Sequence, residues 1–219
     1  MDPEFWHQRW RENQIGFHQP DVNLHLQAFW PQLGVPGGRR VFVPLCGKSL
    51  DMRWLRGQGY RVVGVEISPV AVQDFFREQG LQPDCTRTTH FERCSADGIE
   101  VLCGDFFDLT RLELDGVAAV YDRASLIALP PALRAGYARH LTGLLEPATP
   151  VLLVTLEYDQ AQMQGPPFSV TESEVRELFE AGFEVEPLHA DDVLAREPRF
   201  RERGLTRLDE KVYLLRRRD

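Results

Sequence analysis

From residue 41 to residue 68 the chain runs VFVPLCGKSLDMRWLRGQGYRVVGVEIS, and its architecture is legible there. Val41-Phe42-Val43 is a short apolar run, and Pro44-Leu45-Cys46-Gly47 is a turn. Leu50, Trp54 and Leu55 recur at helical spacing, and Gly57 with Gly59 closes that helix. Val62, Val63 and Val65 form a second buried strand, with Glu66 at its C-terminal end. Strand, turn, helix, strand and acid, in that order, open a doubly wound α/β nucleotide site. The turn brings backbone N–H groups and a helix N-terminus to the ligand. Glu66, 19 positions after Gly47, can accept hydrogen bonds from two ribose hydroxyls.

The same residues narrow the ligand. Gly47-Lys48-Ser49 imitates a phosphate-binding loop, but the flexible glycine that such a loop needs five residues earlier is Phe42. A pyrophosphate approach usually needs two or three glycines in the turn, and only Gly47 is present. A ligand with a ribose and no pyrophosphate fits better, and S-adenosylmethionine is such a ligand.

Working outward, Asp2-Pro3 reads as a helix cap followed by proline at the first helical position, with Phe5, Trp6 and Trp10 on the segment behind it. Phe17-His18-Gln19-Pro20 breaks that segment, and Asp21 is placed to cap a second helix through Leu33. On the other side, Ser68-Pro69 caps a helix that Gly80 ends. A hairpin spans residues 90–103, turning at Asp97-Gly98. Further strands follow at Val117–Tyr121 and Val151–Leu156, and a helix carrying Leu133, Tyr137, Leu141 and Leu144 lies between them. Thr171-x-x-Glu174 is a capping box before Val175, Leu178 and Phe179. Phe183–Leu188 and Lys211–Arg216 close the chain as an antiparallel pair.

These elements predict one α/β domain over residues 1–219. It has a Rossmann-like, mainly parallel seven-strand sheet, an antiparallel final strand pair, and an N-terminal helical lid over residues 1–38. Polar residues at the strand ends converge on one crevice. The 43% hydrophobic content of 219 residues suits a full core. A net charge of −8 with dispersed acids argues against nucleic acid. No apolar run approaches a membrane span and no signal peptide is visible, so the cytoplasm is expected. The six scattered histidines suggest no metal site, and the four cysteines, with no C-x-x-C pair, suggest free thiols in a reducing compartment. A monomer acting on a small molecule is expected.

The chain resembles the thiopurine S-methyltransferase family, its bacterial branch in particular. The resemblance rests on Phe5-Trp6 with Trp10, Gly16-Phe17-His18-Gln19, Val43-Pro44-Leu45-Cys46-Gly47-Lys48 and Gly64-Val65-Glu66-Ile67-Ser68. It continues through Cys103-Gly104-Asp105-Phe106-Phe107-Asp108, Asp122-Arg123, Gly165-Pro166-Pro167-Phe168 and Glu210-Lys211-Val212-Tyr213. It implies a class I S-adenosylmethionine-dependent enzyme that methylates thiol or thione sulfur, with thiopurines as acceptors. The resemblance also implies oxyanions of selenium or tellurium as acceptors among bacterial relatives. Carried over by position, it implies cofactor contacts at Trp10, Leu45, Glu66, Asp105, Phe106 and Arg123. The same carry-over puts Phe17, Arg123, Pro166 and Pro167 at the substrate, with Arg123 as the catalytic residue and no general base assigned.

Competing readings stand beside these. Trp10 also suits a core position, and Asp105 also suits a cap of the next turn. Arg123 also suits a surface pair with Asp122. Cys46 lies in the cofactor turn, but a small buried residue fits it better than a nucleophile, because no histidine is placed to activate it. At the level of function the rivals are a nucleotide-dependent oxidoreductase and a non-catalytic S-adenosylmethionine-binding module.

Overall fold

Proline at the start of a helix loses nothing, because its missing N–H would have no partner in the first turn. Pro3 opens the first helix in this way: α1 spans Pro3–Arg11. The computed structural model describes residues 3–218, so the expected cap at Asp2 lies outside the described residues. The second helix, α2, spans Leu24–Phe29 and corrects one expectation. Its cap is Asn23 rather than Asp21. The Asn23 side chain accepts from the N–H groups of His25 at 2.9 Å and Leu26 at 3.1 Å. Only the residue next to the first turn reaches those unpaired donors, and Asp21 stands two positions too early.

Up to Tyr121 the chain forms one compact unit. Its elements are β1 (Arg40–Val43), α3 (Asp51–Gly57), β2 (Arg61–Glu66), α4 (Pro69–Glu78), β3 (Asp84–Arg87), β4 (Glu92–Ala96), β5 (Ile99–Cys103) and β6 (Val117–Arg123), whose last two residues begin the second unit. The strands lie in the order β3-β4-β5-β2-β1-β6. Pairing is parallel from β5 through β2 and β1 to β6. Strands in such a centre are covered on both faces and read as continuous apolar runs. Val41, Phe42, Val63, Val65, Ala119 and Val120 are accordingly buried, each large aliphatic or aromatic side chain contributing about 1.5–3 kcal/mol. Asp51, buried at the start of α3, ties neighbours together: it accepts from the Asn23 N–H at 2.8 Å and the Tyr121 hydroxyl at 3.1 Å.

The described residues contain nine strands, not the expected seven. The first arm of the hairpin is itself a strand, β4, and it recruits β3 on its far side by antiparallel pairing. The Asp97-Gly98 turn has positive φ at both residues, 48° and 75°, as a two-residue hairpin of this hand requires. Cys85 and Cys94 stand opposite each other across β3 and β4 and form a disulfide. This corrects the expectation of four free thiols. The pairing is invisible without β3, whose exposed residues Asp84-Cys85-Thr86-Arg87 lack a hydrophobic signal. Cys46 and Cys103 remain free.

From Asp122 onward the second unit holds α5 (Pro131–Leu144), β7 (Pro150–Glu157), α6 (Glu172–Phe179), β8 (Phe183–Asp192), α7 (Pro198–Glu202) and β9 (Asp209–Arg217). Its strands follow the order β7-β9-β8, antiparallel throughout, which matches the expected final pair. Among the described residues no helix is long and apolar enough to cross a membrane.

Candidate active site

A buried carboxylate is costly unless its oxygens find donors. Glu66, at the end of β2, is only 5% exposed. The Gly47 N–H donates to its Oε2 at 2.9 Å, and the Ser68 N–H donates to its Oε1 at 2.8 Å. The turn that supplies Gly47 is docked on the same strand, with the Cys46 N–H on the Val65 carbonyl at 2.9 Å. Burial pushes the Glu66 carboxyl up to about 7, against the opposing pull of the N–H groups of Ser68, Gly47 and Ile67. Each oxygen receives one of these two hydrogen bonds, from Gly47 or Ser68, with the Ile67 N–H the weakest influence, and each keeps lone-pair capacity for another donor. A vicinal diol is a matching ligand.

The turn is shaped for close approach. Leu45 and Gly47 take positive φ, 42° and 52°. A Cβ on Gly47 would stand 3.2 Å from the Trp10 ring, so the buried indole of Trp10 rests on the turn backbone. Trp10 and Trp6 each meet the Phe17 ring edge-on, at 5.5 and 5.6 Å. The structure thus brings Trp10, Phe17, Gly47 and Glu66 into one cluster, while the half-buried Leu45 shapes its turn. Gly64 is needed for a different reason: a Cβ there would lie 2.6 Å from the Cys46 sulfur. The Cys46 thiol is fully buried and, through burial and the nearby Glu66, held well above its ordinary range. A thiol in that state is a poor nucleophile.

Lys48, the residue that mimics a phosphate ligand, is buried and pairs with Glu78 at the end of α4 at 2.7 Å. Its charge is committed within the protein, and the cluster offers no phosphate cradle. Asp105 follows β5, whose end is tied to β2 by the Gly104 N–H on the Glu66 carbonyl at 2.9 Å. The Asp105 carboxylate accepts from the Phe107 N–H at 2.9 Å, so it caps the short turn that carries buried Phe106. These donors and acceptors suit a ribosyl sulfonium better than a nucleoside diphosphate.

The second unit holds the other predicted residues. Asp122 is fully buried and accepts from the Tyr137 hydroxyl at 2.6 Å. Burial pushes its carboxyl up to about 6, with the Tyr137 hydroxyl the first of several opposing hydrogen bonds. It is therefore an anchor for the end of β6 rather than half of a surface pair. Half-buried Arg123 follows, then Ala124 with φ 67° and a short turn over Leu126–Ala128. That turn holds the proline loop directly: the Phe168 N–H donates to the Ile127 carbonyl at 2.7 Å. The Tyr158 hydroxyl donates to the Pro167 carbonyl at 2.6 Å, and the Ser169 N–H donates to Gln160 Oε1 at 3.0 Å. Both prolyl bonds, Gly165–Pro166 and Pro166–Pro167, are cis. The turn that follows Arg123 at the end of β6 and the loop carrying Pro166-Pro167 are thus joined by a main-chain bond.

Sequence reasoning missed the supports. Tyr137 reads as one more residue of a helix face, and Tyr158 follows a strand with no motif around it. Ser68 reads only as a helix cap, although its N–H also holds Glu66. Lys48 carries a motif that points to the wrong chemistry.

Comparison with known proteins adds to this geometry. The family profile described as "Thiopurine S-methyltransferase (TPMT)" matches residues 1–218. A thiopurine S-methyltransferase of Pseudomonas fluorescens (strain Pf0-1) is 54% identical over 216 residues, 99% of each chain. One from Nitrosospira multiformis is 51% identical over 215 residues, 98% of each chain. Among solved structures, 1,6-didemethyltoxoflavin-N1-methyltransferase of Burkholderia thailandensis, with bound 1,6-didemethyltoxoflavin and S-adenosylhomocysteine, superposes with a TM-score of 0.65 at 18% identity, over 99% of this chain and 87% of that one. A SAM-dependent methyltransferase from Anabaena variabilis gives a TM-score of 0.67 at 13% identity, over 99% of this chain and 95% of that one. At such identities the structural likeness speaks for the fold alone, which is that of class I methyltransferases.

Proposed function

This chain belongs to the thiopurine S-methyltransferase family, and on that footing we propose that its 219 residues work as one domain that methylates the sulfur of thiopurines and related aromatic or heterocyclic thiols. The cofactor is S-adenosylmethionine, which supplies an electrophilic methyl group on a sulfonium. The observation that carries the reading is the buried Glu66 carboxylate, held by the Gly47 and Ser68 N–H groups with capacity left on both oxygens. On this reading Glu66 receives the ribose hydroxyls, Leu45 and Trp10 bound the cofactor, and Asp105 with Phe106 receives the adenine.

Arg123, Phe17, Pro166 and Pro167 receive the acceptor. A guanidinium keeps its charge at any working pH and is a poor base, so Arg123 acts electrostatically. It contacts the cofactor, and it favours the anionic form of the acceptor thiol or a neighbouring ring nitrogen. Phe17 and the two prolines present apolar surface that excludes water from an in-line displacement. Aromatic thiols and thiones ionise readily, so the acceptor can release its proton to solvent before the methyl group is transferred, and no general base is assigned. Selenium and tellurium oxyanions are further acceptors to be tried. The enzyme works as a monomer in the cytoplasm on this reading, where the Cys85–Cys94 pair would exchange with cellular thiols.

Arg123 variants assayed on a series of aromatic thiols test the assignment. Arg123→Lys keeps the charge without the planar fork and should retain part of the activity. Arg123→Met should lose more, and most for acceptors of high pKa. Equal losses across the series, or Met performing as well as Lys, would remove Arg123 from the acceptor side.

A further inference from the structure

The two loops assigned to the acceptor share a third support that no sequence motif announces. Arg134, in the first turn of α5, is 1% exposed and heads the fully buried side chains by size. Its Nε donates to the Leu129 carbonyl at 2.9 Å, at the end of the turn that follows Arg123. Its Nη1 donates to both carboxylate oxygens of Glu174 on α6, each at 2.7 Å. Its guanidinium carbon stands 5.9 Å from the centre of the Phe168 ring, next to Pro167 in the chain. Gly165 also packs closely on Phe168: a Cβ on Gly165 would lie 2.5 Å from its ring. One planar cation therefore touches the Arg123 turn, the proline loop and a helix end.

The energetics of such a group are unusual for a residue that only fills a core. A buried guanidinium is costly to desolvate, and an apolar residue of similar volume is often as stable or more stable in its place. The Arg134 Nη2 has no hydrogen-bond partner among the described residues, so the charge is not fully satisfied either. Glu174 is diverted as well. In the expected capping box its carboxylate would return to the Thr171 N–H. Thr171 performs its half, accepting from the Glu174 N–H at 3.2 Å, while the carboxylate goes to Arg134. The arrangement gives up local stability and gains a rigid fork that sets three segments at fixed separations.

We propose that Arg134, with Glu174 as its counter-ion, is a positioning residue for methyl transfer: it fixes the spacing between Arg123 and the Pro166-Pro167 wall, and so the width of the acceptor slot. This rests on the reading in which those residues receive the acceptor. Misplacing reacting groups by about an ångström can lower rates a hundredfold, so relaxing the fork should act chiefly on the acceptor, while Glu66, Trp10 and Leu45, which lie in the first unit, continue to hold the cofactor apart from its contact with Arg123.

The test compares Arg134→Met, Arg134→Lys and Glu174→Gln with the parent, alongside Arg123→Met. S-adenosylhomocysteine affinity, thermal midpoint, and kcat and KM are measured with 6-mercaptopurine and with the smaller thiophenol. In Arg134→Met the expected loss in kcat/KM is about tenfold or more for the purine and smaller for thiophenol, with cofactor affinity within about twofold and a midpoint that does not fall in step. Arg134→Lys should recover part of the loss, and Glu174→Gln should show a milder version of the same split. If Arg134→Met does not fold, Glu174→Gln carries the test, since its side chain is partly exposed. Losses that follow the midpoint and strike cofactor and both acceptors alike would show a merely structural role and overturn the proposal. Unchanged acceptor kinetics in folded Arg134→Met or Glu174→Gln, with Arg123→Met impaired, would overturn it alone. Unchanged kinetics in Arg123→Met would instead bring down the underlying acceptor assignment.

Discussion

Raising the pH from about 6 to about 8 should tighten binding of S-adenosylmethionine by about tenfold through Glu66 alone. Burial lifts this carboxyl to about 7, so near pH 6 roughly nine molecules in ten carry the proton. A ribose diol that donates to both oxygens favours the ionised form. Binding near pH 6 must then expel the proton, which weakens apparent affinity about elevenfold, while near pH 8 the penalty is only about 10%. The ratio corresponds to about 1.4 kcal/mol. Calorimetry in two buffers of different ionisation enthalpy reads both the affinity and the released proton, expected at about 0.9 per site near pH 6 and about 0.1 near pH 8. Glu66→Gln keeps the shape but cannot titrate, and should bind about 1.5–3 kcal/mol more weakly at the upper pH. The ligand's amino group titrates in both proteins, so the difference between their curves isolates Glu66. An identical pH dependence in parent and variant would refute the reasoning. The same shift has a consequence for folding. An acid whose pKa is raised keeps its proton longer in the folded state, so stability falls as pH rises from the ordinary value of 4.5 to about 7.

Gly47→Ala places a side chain at φ 52° and 3.2 Å from the Trp10 ring; it should cost about 1–2 kcal/mol in denaturant unfolding and weaken cofactor binding, and an unchanged midpoint with unchanged affinity would reject the close contact. Cys46→Ala should lose about 1 kcal/mol of stability and keep most methyl transfer, since no covalent enzyme intermediate is involved; loss of turnover with intact cofactor binding would reopen a nucleophilic role. Protein denatured without reductant should titrate only the thiols of Cys46 and Cys103, and all four cysteines reacting would count against the Cys85–Cys94 bond.

The parts of the fold legible in the sequence are those where one chemical signal dominates. Val41–Val43 and Val62–Val65 are apolar enough to be central strands whatever surrounds them, and Glu66 is conspicuous at the end of the second. β3 is silent because an exposed edge strand has no buried face, and with it the Cys85–Cys94 bond is silent too. Asn23 rather than Asp21 caps α2, because the cap is the residue beside the first turn and the break at Phe17–Pro20 does not say where that turn begins. The candidate site divides in the same way. Glu66, Gly47 and Trp10 lie in motifs, and the structure brings them together. Arg134, Tyr137 and Tyr158 act through contacts outside their own elements, with Glu174 at 2.7 Å, Asp122 at 2.6 Å and Pro167 at 2.6 Å. Helical periodicity gives Arg134 and Tyr137 a face and no partner, and Tyr158, beyond the end of β7, has no periodicity to place it. Glu174 shows the hazard of a local motif: its capping box is real on the Thr171 side, yet its carboxylate is engaged by a guanidinium 40 positions away.

Incubation of the purified chain with S-adenosylmethionine labelled in its methyl group and with 6-mercaptopurine decides the matter of function. The expected result is label on the purine sulfur in amounts equal to the S-adenosylhomocysteine formed, with the rate sharply reduced in Arg123→Met. Tight cofactor binding with no label on sulfur, or label on a ring nitrogen instead, would contradict it.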